Sequence, residues 1–394
     1  MDELLGKVVG RLREHLEHEK KVIHLAPLET FENRGDLERQ KIGEQLLFDR
    51  KIGVLLLAGG QGSRLGSDLP KALIPVTRFR CKTLLHLMCE KVVAAGKKYG
   101  RQIPLAIMVS PLNSRAIEEH LVEGNYFGLQ KEQIEIFEQG MLPSLNKNGE
   151  AIFDKNGDVV CAPNGNGEVL SLFMQTGLAK LFESRGVSSV TTLSIDNALA
   201  DPFDLDLLGL QAQKNNDVTL VGVIRSADDK KMGLLGEVDG RLAVADYFEC
   251  SEADLLSDKY PLGNSGIYLF SMEFIKACAA EVTALPLHVA EKSGLYKFES
   301  FIFDNFRSGK RFGVVAFPRE EIFAPLKNRT GPDSFDSVQA ALQVRDRLQF
   351  KRVTGASADN KKFELAADFY YPTEETLQKW KGKNLAEGSG YVRA

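Results

Sequence analysis

The chain has 394 residues, of which 43% are hydrophobic and 26% charged, a composition typical of a globular protein with a substantial core. Its formal charge of −4 excludes a generally basic surface and argues against nucleic acid as the main partner. The N-terminal segment is charged throughout and no apolar run approaches the roughly 18 residues that cross a bilayer, so we expect a cytoplasmic protein without membrane contact.

Two helices are predicted in the first fifty residues. Apolar residues at helical spacing predict one helix between Leu4 and Leu16, and a second is expected around 36–48. From residue 51, apolar runs alternate with helical segments. The predicted strands are KIGVLLLAG, IPLAIMVS, QIEIFEQ, VTTLSID and DVTLVGVIR, and the predicted helices are TLLHLMCEKVVAAGKKYG, SRAIEEHLVEGN and LSLFMQTGLAKLFESRG. This alternation predicts an α/β fold with a Rossmann-like, mixed and mostly parallel sheet flanked by helices.

Two β-hairpins are predicted as insertions into this pattern. Asn-Gly pairs within 145–161 predict the first, and Asp239-Gly240 marks the turn of the second. The remaining elements are a strand at 261–270, helices at 272–283 and 298–308, a strand at 311–318, a helix from Ser334 to about Lys351, and a polar tail. We therefore expect a helical N-terminal region (1–50), a central domain (51–320) and a C-terminal region (321–394).

The segment VLLLAGGQGSRLGSDLPKALIPV, at 54–76, predicts a phosphate site. Directly after the first apolar strand it has three closely spaced glycines, Gly59, Gly60 and Gly62. Glycine lets backbone N–H groups converge on an anion, and Arg64 and Lys71 add a forked donor and a point charge. No Gly-Lys-Ser/Thr of a P-loop is present, and Leu65 stands where a dinucleotide fingerprint requires glycine. The structural alternative is a tight turn with solvated cations.

The combination LAGG-x-G-x-R-L-G-x-x-x-P-K resembles the start of nucleotidyltransferases that make nucleoside-diphosphate sugars. It is most similar to the eukaryotic-type UDP-N-acetylhexosamine (UDP-N-acetylglucosamine) pyrophosphorylases. The resemblance covers about residues 51–330 and continues, in order, through EIFEQGMLP, APNGNGEV, LSIDN, GLLGEVDG, GNSGIY, KFESFIFDNF and FAPLKN. It implies that UTP and an N-acetylhexosamine 1-phosphate react to UDP-sugar and pyrophosphate with Mg²⁺, by in-line attack on the α-phosphorus.

The resemblance implies phosphate contacts for four cations. Arg64 and the loop amides would hold the β- and γ-phosphates, and Lys71 would reach the α-phosphate. Lys297 and Lys327 match two further phosphate-contacting lysines, although most lysines are solvated surface charges. The residues implied for UTP or UDP are Leu57, Ala58, Gly59, Gly60, Gly62, Gln139, Gly165 and Asp196.

Asp196 is the predicted metal ligand, because it ends an apolar strand, where a carboxylate is costly to bury unless it is paired or binds a cation. Mg²⁺ typically takes one or two carboxylates and completes its shell with phosphates. A helix N-cap and a lysine-paired carboxylate are the alternatives. Gln139 offers both the donor and the acceptor that a uracil edge requires.

On the sugar side, the resemblance implies contacts from Asn166, Asn197, Gly233, Asp246, Asn264, Phe301 and Phe303. Core packing explains the two phenylalanines equally well. This half departs from the family pattern: Asp246 stands for a glutamate, Glu168 for a glycine, and the family's GVV becomes GLL at 233–235. Uridylyl transfer is therefore better supported than the identity of the sugar.

Three rival functions remain open from the sequence. A UDP-glucose or broad-specificity UDP-sugar pyrophosphorylase would use the same chemistry. A catalytically silent UDP-sugar sensor would bind without turnover, although such a binder has no evident need for both Lys71 and Asp196. A Rossmann dehydrogenase would bind NAD(P). For the assembly, we expect a monomer or a weak homo-oligomer.

Overall fold

The computed structural model describes residues 1–17, 22–62, 65–226, 229–281, 284–292, 294–359, 361–386, 388 and 390–394. Within these residues, one large sheet contains β1 (Glu32–Asn33), β2 (Ile52–Leu57), β3 (Leu105–Val109), β4 (Ile134–Glu138), β7 (Ser189–Ser194), β8 (Val218–Ile224), β9 (Leu234–Val238), β10 (Arg241–Ala245), β11 (Leu262–Ser271) and β14 (Phe312–Phe317). Three further strand pairs are β5 (Met141–Pro143) with β6 (Cys161–Pro163), β12 (His288–Lys292) with β13 (Leu295–Glu299), and β15 (Glu364–Leu365) with β16 (Tyr391–Val392).

Helices flank the sheet and occupy both ends of the chain. They are α1 (Asp2–Glu17), α2 (Leu37–Phe48), α3 (Leu84–Tyr99), α4 (Ser114–Glu123), α5 (Val169–Gln175), α6 (Leu178–Ser184), α7 (Leu205–Lys214), α8 (Glu252–Leu255), α9 (Met272–Ala280), α10 (Arg319–Ile322), α11 (Phe335–Thr354) and α12 (Glu374–Trp380). Among the described residues, no helix is both long enough and apolar enough to span a bilayer.

The large sheet runs in the order β1-β14-β8-β11-β7-β2-β3-β4, with β9 and β10 attached beside β11. β11 is antiparallel to both β7 and β8, whereas the other neighbours along this path are parallel. The predicted mixed, mostly parallel sheet is confirmed. Because the parallel strands share one direction, the carboxyl ends of β4, β2, β7 and β14 open on one edge, and β11 begins there. This edge is where ligands bind in open α/β sheets.

Strand β2 shows why the sheet needs cover on both faces. Val54 and Leu56 point into one core, packed beneath α3 and α7, while Leu55 and Leu57 point into a second core with α5 and α6. Side chains alternate across a strand, so an apolar run without polar alternation requires burial on both sides. All residues of β2 are buried, as its sequence predicts.

The structure corrects two predicted helices. The segment at 170–186 forms two helices, α5 and α6, because Gly177 between them has a left-handed φ of +78°. The helix predicted at 298–308 is wrong: residues up to Glu299 pair with β12, and a 3₁₀ segment, Ile302–Ser308, follows. The second predicted hairpin is confirmed, since β9 pairs with β10. The segment of the first, 145–161, lies between the paired strands β5 and β6, but it forms two isolated bridges, Leu145 with Ala151 and Phe153 with Val159, instead of a single hairpin.

Both ends of the chain pack onto the rest of the protein. Val8 and Leu12 of α1 share a core cluster with Leu142 and Phe298, and β1 extends the sheet beside β14. The predicted polar tail is wrong, because a small C-terminal core of eight buried residues includes five from beyond residue 360, Phe363, Leu365, Phe369, Leu385 and Val392. Trp380 packs edge-on against Phe369. The domain limits at 50 and 320 stay predictions.

Candidate active site

The glycine loop leaves β2 at Leu57 and folds back on the segment that contains Lys71. Lys71 N–H donates to Gly60 O at 3.2 Å, and Gln61 forms an isolated bridge with Pro70. A Cβ at Gly62 would overlap the Leu69 carbonyl, so only glycine fits this close approach. The loop is therefore held against the chain that supplies the predicted α-phosphate lysine.

Asn113, which the sequence analysis did not single out, fixes the start of this loop. Its Nδ2 donates to Ala58 O at 3.0 Å, and its Oδ1 accepts from Ser110 N–H at 2.8 Å. The side chain is almost fully buried. It lies immediately before α4, so it connects the ends of two neighbouring strands, β2 and β3, through one amide.

Gln139, the predicted uracil contact, lies directly against the glycine loop. It follows β4, and its N–H donates to Val109 O at 2.8 Å. A Cβ at Gly59 would overlap the Gln139 side-chain amide, so the two positions are in van der Waals contact only because residue 59 is glycine. The fold thus brings together a loop and an amide that lie 80 positions apart in the sequence.

Lys71 and Asp196 form an ion pair at the carboxyl ends of the adjacent strands β2 and β7. Lys71 Nζ lies 3.1 Å from Asp196 Oδ2, and the two side chains are 19% and 15% exposed. Burial by itself raises the pKa of Asp196, but the charges of Lys71 and Lys327 outweigh it and lower that pKa below its ordinary value. Asp196 is therefore an ionised carboxylate paired with Lys71, which is the lysine-paired alternative. Its metal role stays a prediction.

Asn197 anchors the loop that carries Lys327. Its Nδ2 donates to Ile322 O at 2.8 Å, its Oδ1 accepts from Ala324 N–H at 2.9 Å, and Leu326 N–H donates to Asp196 O at 2.8 Å. The end of β7 thereby sets the position of Lys327. Since the Asn197 amide faces backbone groups, the sugar contact predicted for it has no support in this geometry.

Two further cations, Arg64 and Lys297, are predicted to contact phosphate. Arg64 lies outside the described residues. Lys297 lies in β13 opposite Ala290. It is close in sequence to Ser300, which forms a bridge with Gly165 of the APNGNGEV loop. A cation that sequence reasoning missed, Arg329, approaches the glycine loop, with its Nη1 3.8 Å from where a Cβ on Gly66 would lie.

The APNGNGEV loop forms one wall of the site by packing on residues 300–302. Gly165 forms a parallel bridge with Ser300, and a Cβ there would overlap the Ser300 backbone. Asn166 N–H donates to Ser300 O at 3.0 Å, while Asn166 Oδ1 accepts from Ile302 N–H at 2.9 Å. Glu168, the departure from the family pattern, accepts from Asn164 Nδ2 at 2.7 Å and braces the loop from its exposed side.

Three of the predicted sugar contacts meet at the start of β11. Asn264 N–H donates to Gly233 O at 2.8 Å, and a Cβ on Gly233 would lie 3.6 Å from the Cα of Asp246. Asn264 Oδ1 accepts from the Tyr268 hydroxyl at 2.9 Å. The structure therefore brings together residues from three separate segments.

Asp246 carries a buried, unsatisfied oxygen. Its Oδ1 has no hydrogen-bond partner among the described residues. Burial, followed by the charge of Glu249, raises the pKa of Asp246 to about 6, and Lys327 partly opposes this. Buried polar atoms in native proteins are nearly always hydrogen-bonded, so this oxygen is placed to accept a hydrogen bond from a ligand. The charge of Lys327 thus lowers the pKa of a carboxylate in each half of the site, Asp196 and Asp246.

An aromatic wall follows the Ser300 segment. The rings of Phe301 and Phe303 stack at 5.0 Å, and the His288 ring lies 4.6 Å from Phe301. His288, Glu249 and Asp304 form a charged cluster that the sequence analysis missed. The only local signal was a histidine in the short strand HVAEK, which cannot indicate carboxylates 39 and 16 positions away.

Asp196 is a single carboxylate rather than part of an acidic cluster. No group of three or more His, Cys, Asp or Glu side chains that could hold a metal occurs in the part of the chain that the structure describes. One carboxylate fits Mg²⁺ only if phosphate oxygens and water complete the shell.

Comparisons with known proteins give the family of this chain. The family described as UTP–glucose-1-phosphate uridylyltransferase matches residues 7–330. The human UDP-N-acetylhexosamine pyrophosphorylase-like protein 1 is 31% identical over 348 residues, which are 79% of this chain and 68% of that protein. The UDP-N-acetylglucosamine pyrophosphorylase of Saccharomyces cerevisiae is 28% identical over 393 residues, covering 91% of this chain and 82% of the yeast protein.

A solved structure shares the fold. The uridine diphosphate N-acetylglucosamine pyrophosphorylase from Trypanosoma brucei, crystallised with an inhibitor, superposes with a TM-score of 0.80 at 22% identity, covering 98% of this chain and 89% of that one. The family match extends over more than half of the chain and includes the glycine loop, Lys71, Asp196 and Lys327. The chain therefore belongs to the UTP–glucose-1-phosphate uridylyltransferase family.

Proposed function

We propose that this protein transfers the uridylyl group of UTP to N-acetylglucosamine 1-phosphate, forming UDP-N-acetylglucosamine and pyrophosphate. Family membership supports the class of reaction, a UTP:sugar-1-phosphate uridylyl transfer. The single observation that carries the mechanism is the partly buried Lys71–Asp196 pair beside the glycine loop, at the carboxyl edge of the sheet. The proposal thus assigns UTP to this edge.

The phosphate half of the site counters electrostatic repulsion. UTP and a sugar 1-phosphate are both polyanions, and they must be held together for in-line attack. The glycine loop offers backbone N–H groups, and Lys71 adds a charge on the segment packed against Gly60. A positioned ammonium stabilises the negative charge on the phosphorus under attack more in the transition state than in the bound substrate. Lys71 then acts on the α-phosphate, while Gln139 over Gly59 selects uracil.

The sugar half supports an N-acetylated substrate. The unsatisfied Asp246 Oδ1 can accept from a sugar hydroxyl, and Asn264 is fixed beside it by Gly233 and Tyr268. The stacked, half-buried rings of Phe301 and Phe303 offer an apolar wall for an acetyl methyl group. The human and yeast relatives are named for N-acetylhexosamine and N-acetylglucosamine.

Mg²⁺ is proposed as the cofactor, with Asp196 as its ligand from the protein. When bound, the ion would neutralise phosphate charge. Asp196 suits this role because it is ionised and 15% exposed, although Lys71 already engages its Oδ2. In this chain Lys71 pairs with the carboxylate, the charge of Lys327 favours its ionised form, and Asn197 holds the loop that carries Lys327.

A panel of sugar 1-phosphates with UTP tests the proposed function through pyrophosphate release. We expect the highest kcat/KM with N-acetylglucosamine 1-phosphate and lower values with N-acetylgalactosamine, glucose and galactose 1-phosphates. A value for glucose 1-phosphate at or above that of the N-acetylated sugars would favour a UDP-glucose or broad-specificity enzyme. UDP-sugar binding without turnover would favour the sensor, and binding of NAD(P) would favour the dehydrogenase.

A further inference from the structure

His288 links two loops on the sugar side of the site. Its Nδ1 lies 2.8 Å from Glu249 Oε1, and its Nε2 lies 3.1 Å from Asp304 Oδ2. The three side chains are between 9% and 14% exposed. Glu249 belongs to the turn after β10, and Asp304 belongs to the 3₁₀ segment after β13. One imidazole therefore bridges segments that are more than fifty positions apart.

Each carboxylate in this bridge also holds a backbone N–H of a proposed sugar contact. Glu249 Oε2 accepts from Asp246 N–H at 3.1 Å, and Asp304 Oδ2 accepts from Phe301 N–H at 2.8 Å. The imidazole ring also packs on Phe301, with 4.6 Å between ring centroids. A continuous chain of contacts thus runs from Asp246 through His288 to Phe301.

The bridge requires a protonated imidazole, because a neutral ring has one N–H donor and cannot donate to two carboxylates. Burial lowers the pKa of His288, but the hydrogen bonds and charges of Asp304 and Glu249 outweigh it and raise the pKa to about 9. Two other charged residues lie nearby. Glu299 is opposite in the β12–β13 register, and Arg11 of α1 donates to the adjacent Leu287 O at 2.6 Å.

We propose that His288 is a positioning residue for the sugar 1-phosphate: as an imidazolium it ties the Asp246 turn to the Phe301 segment and sets the distance between the two sides of the sugar pocket. This inference rests on the proposed function. His288 does not touch the reacting atoms. It determines where Asp246 and Phe301 meet the sugar, so its loss changes recognition of the sugar and leaves recognition of UTP unchanged.

Two amide variants test the bridge without emptying the pocket. Asn and Gln each retain an N–H donor that can replace one ring nitrogen: His288→Asn keeps a donor near Glu249, and His288→Gln keeps one near Asp304. For both variants we expect the KM for the sugar 1-phosphate to rise about tenfold, equivalent to about 1.4 kcal/mol, with the KM for UTP unchanged. The control is His86→Asn, which removes the donor at the Nε2 position that pairs with Glu90 within α3.

The pH dependence of the two KM values distinguishes the positioning role from a purely structural role of His288. In the wild type, the KM for the sugar 1-phosphate should rise as the pH passes about 9, whereas the KM for UTP should not follow it. In His288→Gln, this step should be absent. A step that persists in the variant, or equal changes in both KM values, would overturn the proposal.

A binding titration separates this inference from the proposed function. UDP-N-acetylglucosamine and UTP are titrated into the wild type and into His288→Gln without turnover. Weaker binding of UDP-N-acetylglucosamine alone supports the positioning role even if the wild type proves catalytically silent. Equal affinities of wild type and variant for UDP-N-acetylglucosamine would reject the positioning role even if the uridylyl transfer is demonstrated.

Discussion

The phosphate half and the sugar half of the site are built in different ways. The phosphate half uses the ends of neighbouring parallel strands, where β2, β7 and β4 deliver the glycine loop, Asp196 and Gln139 to one edge. The sugar half is assembled from loops and short strands outside that arrangement, and a buried network of charges holds it together. The first depends on backbone geometry, whereas the second depends on side-chain pairing.

Because of this difference, the two halves of the site should tolerate different amino-acid substitutions. The glycine loop needs glycine at residues 59 and 62, because a Cβ at either position would overlap a neighbour. A side-chain network can keep its shape with other residues if the pairing is preserved. The three departures from the family pattern, at Glu168, 234–235 and Asp246, all lie on the sugar side. Substitutions in each half should therefore differ in what they change, kcat and UTP binding in the phosphate half and sugar binding in the other.

Lys71→Ala should produce the largest loss of activity. Removing a preorganised cation from the reacting phosphate lowers kcat by about 10²–10³-fold, while UTP binding weakens much less, because the contact strengthens in the transition state. Steady-state kinetics together with a UTP titration measure both. Lys276→Ala is the matched control, since Lys276 also pairs with a carboxylate, Glu183, but at the surface. Equal losses in kcat and in UTP affinity would contradict the role of Lys71.

Gly59→Ala should weaken UTP binding more than Gly60→Ala does. A Cβ at residue 59 overlaps the Gln139 amide, whereas at residue 60 its nearest neighbour is Lys71 Cδ at 3.6 Å, an ordinary contact. We expect the KM for UTP to rise by about tenfold or more in Gly59→Ala, a cost of at least about 1.4 kcal/mol. Similar behaviour of the two variants would show that Gln139 does not depend on the glycine loop.

Asp246→Asn should weaken binding of the sugar 1-phosphate and stabilise the protein at alkaline pH. The folded state raises the pKa of Asp246 from an ordinary value of 3.8 to about 6, so the ionised form destabilises the fold. Stability from this group is greatest below the ordinary pKa and is lost as the pH rises through about 6. Thermal unfolding of the wild type and the variant at pH 4 and pH 8 measures this contribution of Asp246 to stability.

The variant's Tm advantage over the wild type should be larger at pH 8 than at pH 4. No difference between the two pH values would show that Asp246 titrates normally. A KM for the sugar 1-phosphate equal to that of the wild type would remove Asp246 from the sugar contacts.

Arg329→Gln should have the smallest effect. Arg329 is exposed and approaches the glycine loop beside Gly66, so its charge acts on the departing phosphates through solvent. We expect the KM for UTP to increase a few-fold at low ionic strength and the difference to shrink as salt is added. Arg115→Gln, which removes an exposed arginine paired with Glu119 on α4, is the control. A salt-independent effect would indicate a structural role instead.

The sequence alone was sufficient for the sheet, the hairpin between β9 and β10 and the position of the glycine loop, because these depend on local patterns. The apolar run of β2 has no polar alternation and requires burial on both faces, and Asp239-Gly240 adopts positive φ angles of 52° and 70° that favour a tight hairpin turn. The resemblance named Lys71 and Asp196, and no pattern within their own segments could show that they form a 3.1 Å ion pair.

The assembly of the sugar half depends on contacts between residues far apart in the sequence. His288 meets Glu249 and Asp304 through β12, a loop and a 3₁₀ segment, and such a pairing leaves no periodic trace in the sequence. The helix predicted at 298–308 failed for the same reason, since pairing with β12 and packing of Phe298 on α1 outweigh local helical preference. Local rules thus determined the strand ends and the glycine loop, while long-range charge pairing and burial decided the shape of the pocket beside them.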